Sequence, residues 1–97
     1  MAQIIYSGRA LDDLERLFRF LAENDPHIAG DAAVAIRSAV EMLALHPLAG
    51  RRVEGELREL VISYGKTGYV ALYRFLPVAE QVRMLSFRHQ RELDFPD

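Results

Sequence analysis

The chain has 97 residues, 51% of them hydrophobic, a formal net charge of −2 and no cysteine. This length excludes a second core, and the absence of cysteine excludes disulfides and thiolate-bound metal. The charge argues against a dedicated nucleic-acid binder, which carries a strong basic excess.

That charge is unevenly spread. Residues 1–50 hold four Arg and seven Asp or Glu, giving −3; residues 51–97 hold seven Arg, one Lys and seven Asp or Glu, giving +1. Arginine is the cation suited to planar contacts with carboxylate or phosphate. The apolar content is high for so small a chain, so part of it is expected to remain as an interface for a partner. The first residues lack a basic stretch followed by a long apolar run, so no signal peptide is expected. No apolar stretch reaches the roughly 20 residues of a membrane span.

Gln3 to Tyr6 reads as a short strand, rich in Ile and Tyr. Ser7 is placed to cap the helix that follows, with Asp12 and Asp13 near its positive end. That helix is expected to run to about Asn24. Leu11, Leu14, Phe18 and Leu21 make its apolar face, and Leu17 and Phe20 widen it. A helix apolar over more than half its circumference packs on two partners. Asp25 then caps a second helix with Pro26 at its first position. It is predicted to run to about His46 and to pack through Ile28, Ala32, Ala35/Ile36, Ala39/Val40 and Leu43. The short linker makes the pair, residues 7–46, an antiparallel hairpin. His27 and His46 read as helix-end surface residues, since neither has a metal-spaced partner.

Leu48 to Glu56 reads as a loop. Three strands follow, Leu57–Ser63, Tyr69–Leu76 and Gln81–Phe87, with turns at Tyr64–Gly68 and Pro77–Glu80. Connections this short force an antiparallel meander over residues 57–88. Apolar residues on both faces of these strands imply that one face meets the hairpin and the other is not ordinary solvent surface. The tail Glu92–Asp97 is expected to be mobile unless bound. The chain is thus a single α+β domain over residues 1–97, a helical hairpin on a small antiparallel sheet.

Motifs for common chemistries are missing. There is no phosphate loop, zincin pair or nucleophile elbow, and Ser86 reads as a strand residue. What stands out is an arginine set on the sheet: Arg58, Arg74, Arg83 and Arg88, with His89, and Arg51 and Arg52 from the loop. Alternation puts Arg74 with Leu72 and Leu76, and Arg88 with Met84 and Ser86. Such a cluster can grip a phosphodiester, with His89 as acid or base near neutral pH. The plainer alternative pairs Arg58, Arg74 and Arg88 with Glu59, Glu80, Glu92 or a partner's carboxylates.

Several phrases in this order resemble the RelE/ParE superfamily of type II toxin–antitoxin toxins. They are Leu43-Ala44-Leu45-His46-Pro47 to Gly50-Arg51, Leu57-Arg58-Glu59-Leu60, Tyr73-Arg74, and Leu85-Ser86-Phe87-Arg88-His89-Gln90-Arg91-Glu92. The resemblance spans about residues 3 to 93. It implies a bacterial cytoplasmic toxin with no cofactor and no metal, wrapped by an antitoxin. RelE-like members cleave mRNA on the ribosome; ParE-like members poison DNA gyrase without catalysis. The charge of −2 and the long hairpin point to the ParE-like branch, neutralised by a ParD-like antitoxin. Target contacts are then expected from Arg51, Arg52, Arg58, Arg88, His89 and Arg91. Antitoxin contacts are expected from Leu14, Phe18, Leu21, Arg74, Met84 and Arg88. The alternative is a ribonuclease using Arg58, Arg74, Arg88 and His89; a third reading is an inactive relative kept for binding. A homodimer and a hetero-oligomer with the antitoxin are both compatible with the sequence.

Overall fold

The computed structural model describes residues 1–64 and 67–90. Its elements are β1 (Gln3–Tyr6), α1 (Gly8–Asn24), α2 (Pro26–Met42), β2 (Arg51–Glu54), β3 (Leu57–Tyr64), β4 (Thr67–Leu76) and β5 (Gln81–His89). The five strands form one sheet in the order β1-β5-β4-β3-β2. β2 to β5 pair antiparallel in sequence order, as short connections require. β1 departs from this and runs parallel to β5, so the sheet is mixed and not wholly antiparallel. The helical hairpin and three other strands separate β1 from its partner in sequence, so no tight turn dictates their relative direction.

Ser7 caps α1, its hydroxyl accepting the Ala10 N–H at 3.0 Å. Asp25 caps α2 by accepting the His27 N–H at 2.9 Å, with Pro26 in the first turn where it has no N–H to lose. The second helix ends at Met42, before the predicted His46. Leu43 to His46 instead close tight turns on the carbonyls of Val40, Glu41 and Met42, and Pro47 forbids further winding.

The hairpin covers one face of the sheet. α1 packs on α2 and β5, while α2 packs on β3, so α1 has the two partners its wide apolar face calls for. The core joins Ala10 and Leu17 of α1, and Ala32, Ile36, Val40 and Leu43 from α2 and its end, to Ile62, Tyr69, Ala71, Tyr73, Val82, Met84 and Phe87 of the sheet. Leu14, Phe18 and Leu21 lie half-buried beside it. Two residues expected on the inner face of α1 point outward: Leu11 is 54% and Phe20 64% exposed. Ile28 of α2 is likewise exposed. The buried stripe of α1 is Ala10, Asp13 and Leu17, rotated from the predicted one and including a carboxylate.

Two further corrections concern the sheet. The stretch expected to be loop contains the edge strand β2, joined to β3 by a two-residue turn at Gly55-Glu56. Gly55 adopts φ 54°, the left-handed conformation that such a turn demands and glycine gives without strain. All four β2 residues are exposed, and three are charged, which discourages edge-to-edge pairing. The second correction is a β-bulge in β5. Leu72 faces Ser86 while Tyr73 faces Met84, leaving Leu85 unpaired. An extra residue reverses the alternation beyond it. Met84 therefore points into the core, whereas Ser86 and Arg88 lie on the opposite face, not with Met84 as simple alternation predicts.

Candidate functional site

The register divides the arginines between the two faces of the sheet. Arg58 pairs with Tyr73 on the helix side, where Tyr73 is buried. Its guanidinium donates to the carbonyl of Gly50 at 2.9 Å and to that of Leu48 at 3.3 Å. The Tyr73 hydroxyl donates to the Pro47 carbonyl at 2.8 Å and accepts the Gly50 N–H at 2.8 Å. Together these two side chains fasten the Pro47–Gly50 corner to the sheet. Gly50 is required by proximity: a Cβ there would lie 2.5 Å from the Tyr73 ring and 2.8 Å from the Glu59 carbonyl. Burial pushes the Tyr73 hydroxyl above its ordinary pKa, against the opposing pull of the Gly50 N–H and of Arg58. Arg58 is thus engaged with backbone carbonyls, and among the described residues neither Glu59 nor Glu80 pairs with it; Glu92 lies outside them.

Among the described residues, the other face carries no helix, although Val70 and Ser86 on it are buried. One row across it runs Leu57, Arg74, Arg83 and Ile5. Two guanidinium groups directly opposite each other repel, and Arg83 turns to Gln81, donating to its Oε1 at 3.3 and 3.4 Å. Arg74 is exposed beside half-buried Leu72 and Leu76, as the alternation predicts. The next row runs Arg51, Glu59, Leu72 and Ser86, and Arg51 forms an ion pair with Glu59. Val61, Val70 and Arg88 follow. This face therefore alternates leucine and isoleucine with arginine, and its guanidinium groups outnumber its carboxylates.

Arg52 lies on β2, opposite Arg58; it donates to the Gly55 carbonyl at 2.9 Å and approaches Glu56 at 3.8 Å. His89 pairs with Tyr69 and lies edge-on to its ring, centroids 5.5 Å apart. That places His89 on the helix side of the sheet, away from Arg74 and Arg88. Arg58 shares its side but pairs with Tyr73, four residues from Tyr69 along β4, about 13 Å at ~3.3 Å per residue. The four residues Arg58, Arg74, Arg88 and His89 are not brought to one point. Arg91 and the tail Glu92–Asp97 lie outside the described residues. Among the described residues, no group of three His, Asp or Glu is arranged to hold a metal, and no helix is long and apolar enough to cross a membrane.

A second candidate surface lies on the hairpin. Tyr6, Leu14, Phe18, Ala33, Ile36, Arg37 and Glu41 line an open, mainly apolar groove. The Arg37–Glu41 pair, 3.1 Å apart, marks its polar margin. Tyr6 has its pKa raised chiefly by burial, then by the Glu41 carboxylate, with Arg37 opposing. Leu14 and Phe18 come together here; Leu21 and Met84 are not among the lining residues.

A family model described as "ParE toxin of type II toxin-antitoxin system, parDE" matches residues 4–94. The chain belongs to this toxin family. It is 39% identical over 92 residues to Toxin RelE3 of Caulobacter vibrioides, covering 95% of this chain and 98% of the relative. Toxin RelE1 of the same organism is 36% identical over 73 residues, covering 75% of this chain and 78% of the relative. A solved structure titled "Chromosomal ParDE TA system from P. aeruginosa" shares the fold, with a TM-score of 0.72 at 20% identity over 92% of this chain and 96% of that one.

Membership in the toxin family gives the corner a double interest. The phrases that carry the resemblance, Pro47 to Gly50, Arg58 and Tyr73, are the groups that bond to one another. The remaining phrase contains the bulged strand. Two side chains to which the sequence reading gave no site role also tie this region together. One is Asp13, whose Oδ2 accepts the Phe87 N–H at 2.9 Å. Its signal was an acid at helical spacing between Ala10 and Leu17. The other is the Tyr73 hydroxyl, which no sequence pattern distinguishes from a strand aromatic.

Proposed function

We propose that this toxin arrests growth as ParE-like toxins do, by binding DNA gyrase, and that an antitoxin neutralises it. The observation that carries this reading is the dispersal of the arginines and His89. A general acid or base must lie within hydrogen-bond reach of the group it serves. Here Arg58 is tied to backbone carbonyls, Arg74 and Arg88 occupy one face, and His89 turns to the other. A net charge of −2 also gives little general attraction to a ribosome. Both supports favour a contact surface over a nuclease centre.

Two surfaces suit the antitoxin. The groove beside Leu14 and Phe18 fits the apolar side of a helix. The arginine-and-leucine face around Arg74 and Arg88 fits a segment alternating acidic and apolar residues. Arg51, Arg52, Arg88 and His89, at the margins of the sheet, are the gyrase contacts. Both proteins meet in the bacterial cytoplasm on this reading.

The names of the Caulobacter relatives favour the second reading, a ribosome-dependent ribonuclease. The two are separated by running purified toxin in a gyrase supercoiling assay beside a ribosomal mRNA cleavage assay. Inhibited supercoiling with intact mRNA is expected. Cleaved mRNA with normal supercoiling would replace the proposal by its rival. The variant His89→Ala sharpens the test. A general acid or base loses about 10²–10⁴ in rate on removal, whereas a residue at the rim of a protein interface loses little.

A further inference from the structure

The contact surface depends on which way the end of β5 presents its side chains, and that is set by a contact outside the sheet. β1 leaves β5 after the pairing of Tyr6 with Met84. Beyond that point one edge of β5 has no strand partner among the described residues. α1 crosses there, and its first two turns supply the missing partners. The Ser7 N–H donates to the Met84 carbonyl at 2.9 Å, and the Ser7 hydroxyl donates to the Leu85 carbonyl at 3.1 Å. The Phe87 N–H donates to Asp13 at 2.9 Å. Asp13 is only 7% exposed, and the Arg16 guanidinium stands 4.0 Å away. A carboxylate is seldom left in such a position unless it satisfies something. What it satisfies is a backbone N–H that burial would otherwise strand.

These bonds bracket the bulge. Leu85 is the unpaired residue; Ser7 holds its carbonyl, and Asp13 holds the N–H two positions on. The bulge is what turns Phe87 into the core and half-buried Arg88 onto the face opposite the helices. A one-residue slip would exchange the two faces.

We propose that Asp13 is a positioning residue: its carboxylate, with the Ser7 hydroxyl, fixes the Leu85 bulge and so decides that Arg88 lies on the sheet face opposite the helices. This rests on the reading that Arg88 belongs to a contact surface for target or antitoxin. Asp13 itself touches neither, being enclosed between α1 and β5.

The test uses full-length toxin and three variants. D13A removes the acceptor; D13N keeps an oxygen that can accept the Phe87 N–H. L17A opens a core cavity one helical turn away and serves as a control for lost stability alone. Growth arrest is measured at matched soluble expression, and amide exchange and chemical shifts of Phe87 and Arg88 are read by ¹⁵N NMR. D13A is expected to cut Phe87 amide protection by about tenfold or more, shift the Arg88 signals and weaken growth arrest. D13N is expected to restore all three. L17A is expected to lower the melting temperature while leaving the Arg88 signals in place. If D13A is too unstable to purify, S7A removes the other half of the bracket and is expected to move the same signals. Unchanged Phe87 and Arg88 signals in D13A, or D13N as disrupted as D13A, would overturn the proposal. If the unmodified toxin arrests no growth, the contact-surface reading fails, while the NMR signals still decide the role of Asp13.

Discussion

Arg58 and Arg74 lie on neighbouring strands and look alike in sequence, yet the fold uses them in opposite ways. Arg58 sits at a closed corner. Its guanidinium is held by the Leu48 and Gly50 carbonyls, beside a buried tyrosine whose hydroxyl is engaged twice. Arg74 sits on the open face among half-buried leucines, directly opposite Arg83. The corner is closed by these bonds, whereas the opposite face presents Arg74 exposed beside half-buried leucines. An arginine is therefore no marker of a binding site until its neighbours are known.

The contrast can be broken at the corner first. Gly50→Ala forces a methyl group against the Tyr73 ring and the Glu59 carbonyl, and is expected to cost about 3 kcal/mol of stability in urea unfolding. A smaller effect follows from Tyr73→Phe, which leaves the Gly50 N–H and the Pro47 carbonyl without their partner. About 2 kcal/mol is expected, with little change in m-value. Arg58→Lys keeps the charge but loses the planar fork, and about 1 kcal/mol is expected. If the Arg58→Lys toxin were fully stable but inactive against its target, Arg58 would have to be moved to the contact surface. At the open face the pattern reverses. Arg74→Ala is expected to change stability by less than about 0.5 kcal/mol and to weaken antitoxin binding by about tenfold in calorimetry. Unaltered affinity would remove Arg74 from the antitoxin surface.

The smallest effect is the dependence on pH. Tyr73 and Tyr6 both have pKa values raised above 10.0 by burial. A raised folded-state value means the unfolded chain loses its proton first. Stability from these tyrosines is complete below about pH 10 and falls as pH rises through their folded-state values. Tyr73→Phe is expected to flatten that alkaline decline, read as the midpoint of urea unfolding against pH.

Much of the architecture was legible in advance because local rules governed it. Ser7, Asp25 and Pro26 fixed the helix starts through groups that supply or spare backbone hydrogen bonds. Short turns left β3, β4 and β5 no choice but to pair antiparallel. Two of the misreadings concerned a partner distant in the chain. β1 found its parallel neighbour in the last strand. Leu11 and Phe20 satisfied helical spacing, but the buried stripe is Ala10, Asp13 and Leu17, with Asp13 accepting the Phe87 N–H. β2 was hidden by its polar residues, which suit an exposed edge as well as a loop.

The candidate site divides along the same line. By itself the sequence determined the inventory: eleven arginines, a histidine near the end of the last strand, the turn glycines and the phrases that resemble the toxin family. It also determined that Arg74 shares a face with Leu72 and Leu76, because strand alternation is a local property. Only the tertiary structure decided which arginines lie on the sheet face opposite the helices. The bulge at Leu85 turned Arg88 away from Met84, and the corner drew Arg58 onto backbone carbonyls. The physical reason is that a buried N–H or carbonyl takes whichever partner the packing brings within reach, and that partner can lie anywhere in the chain.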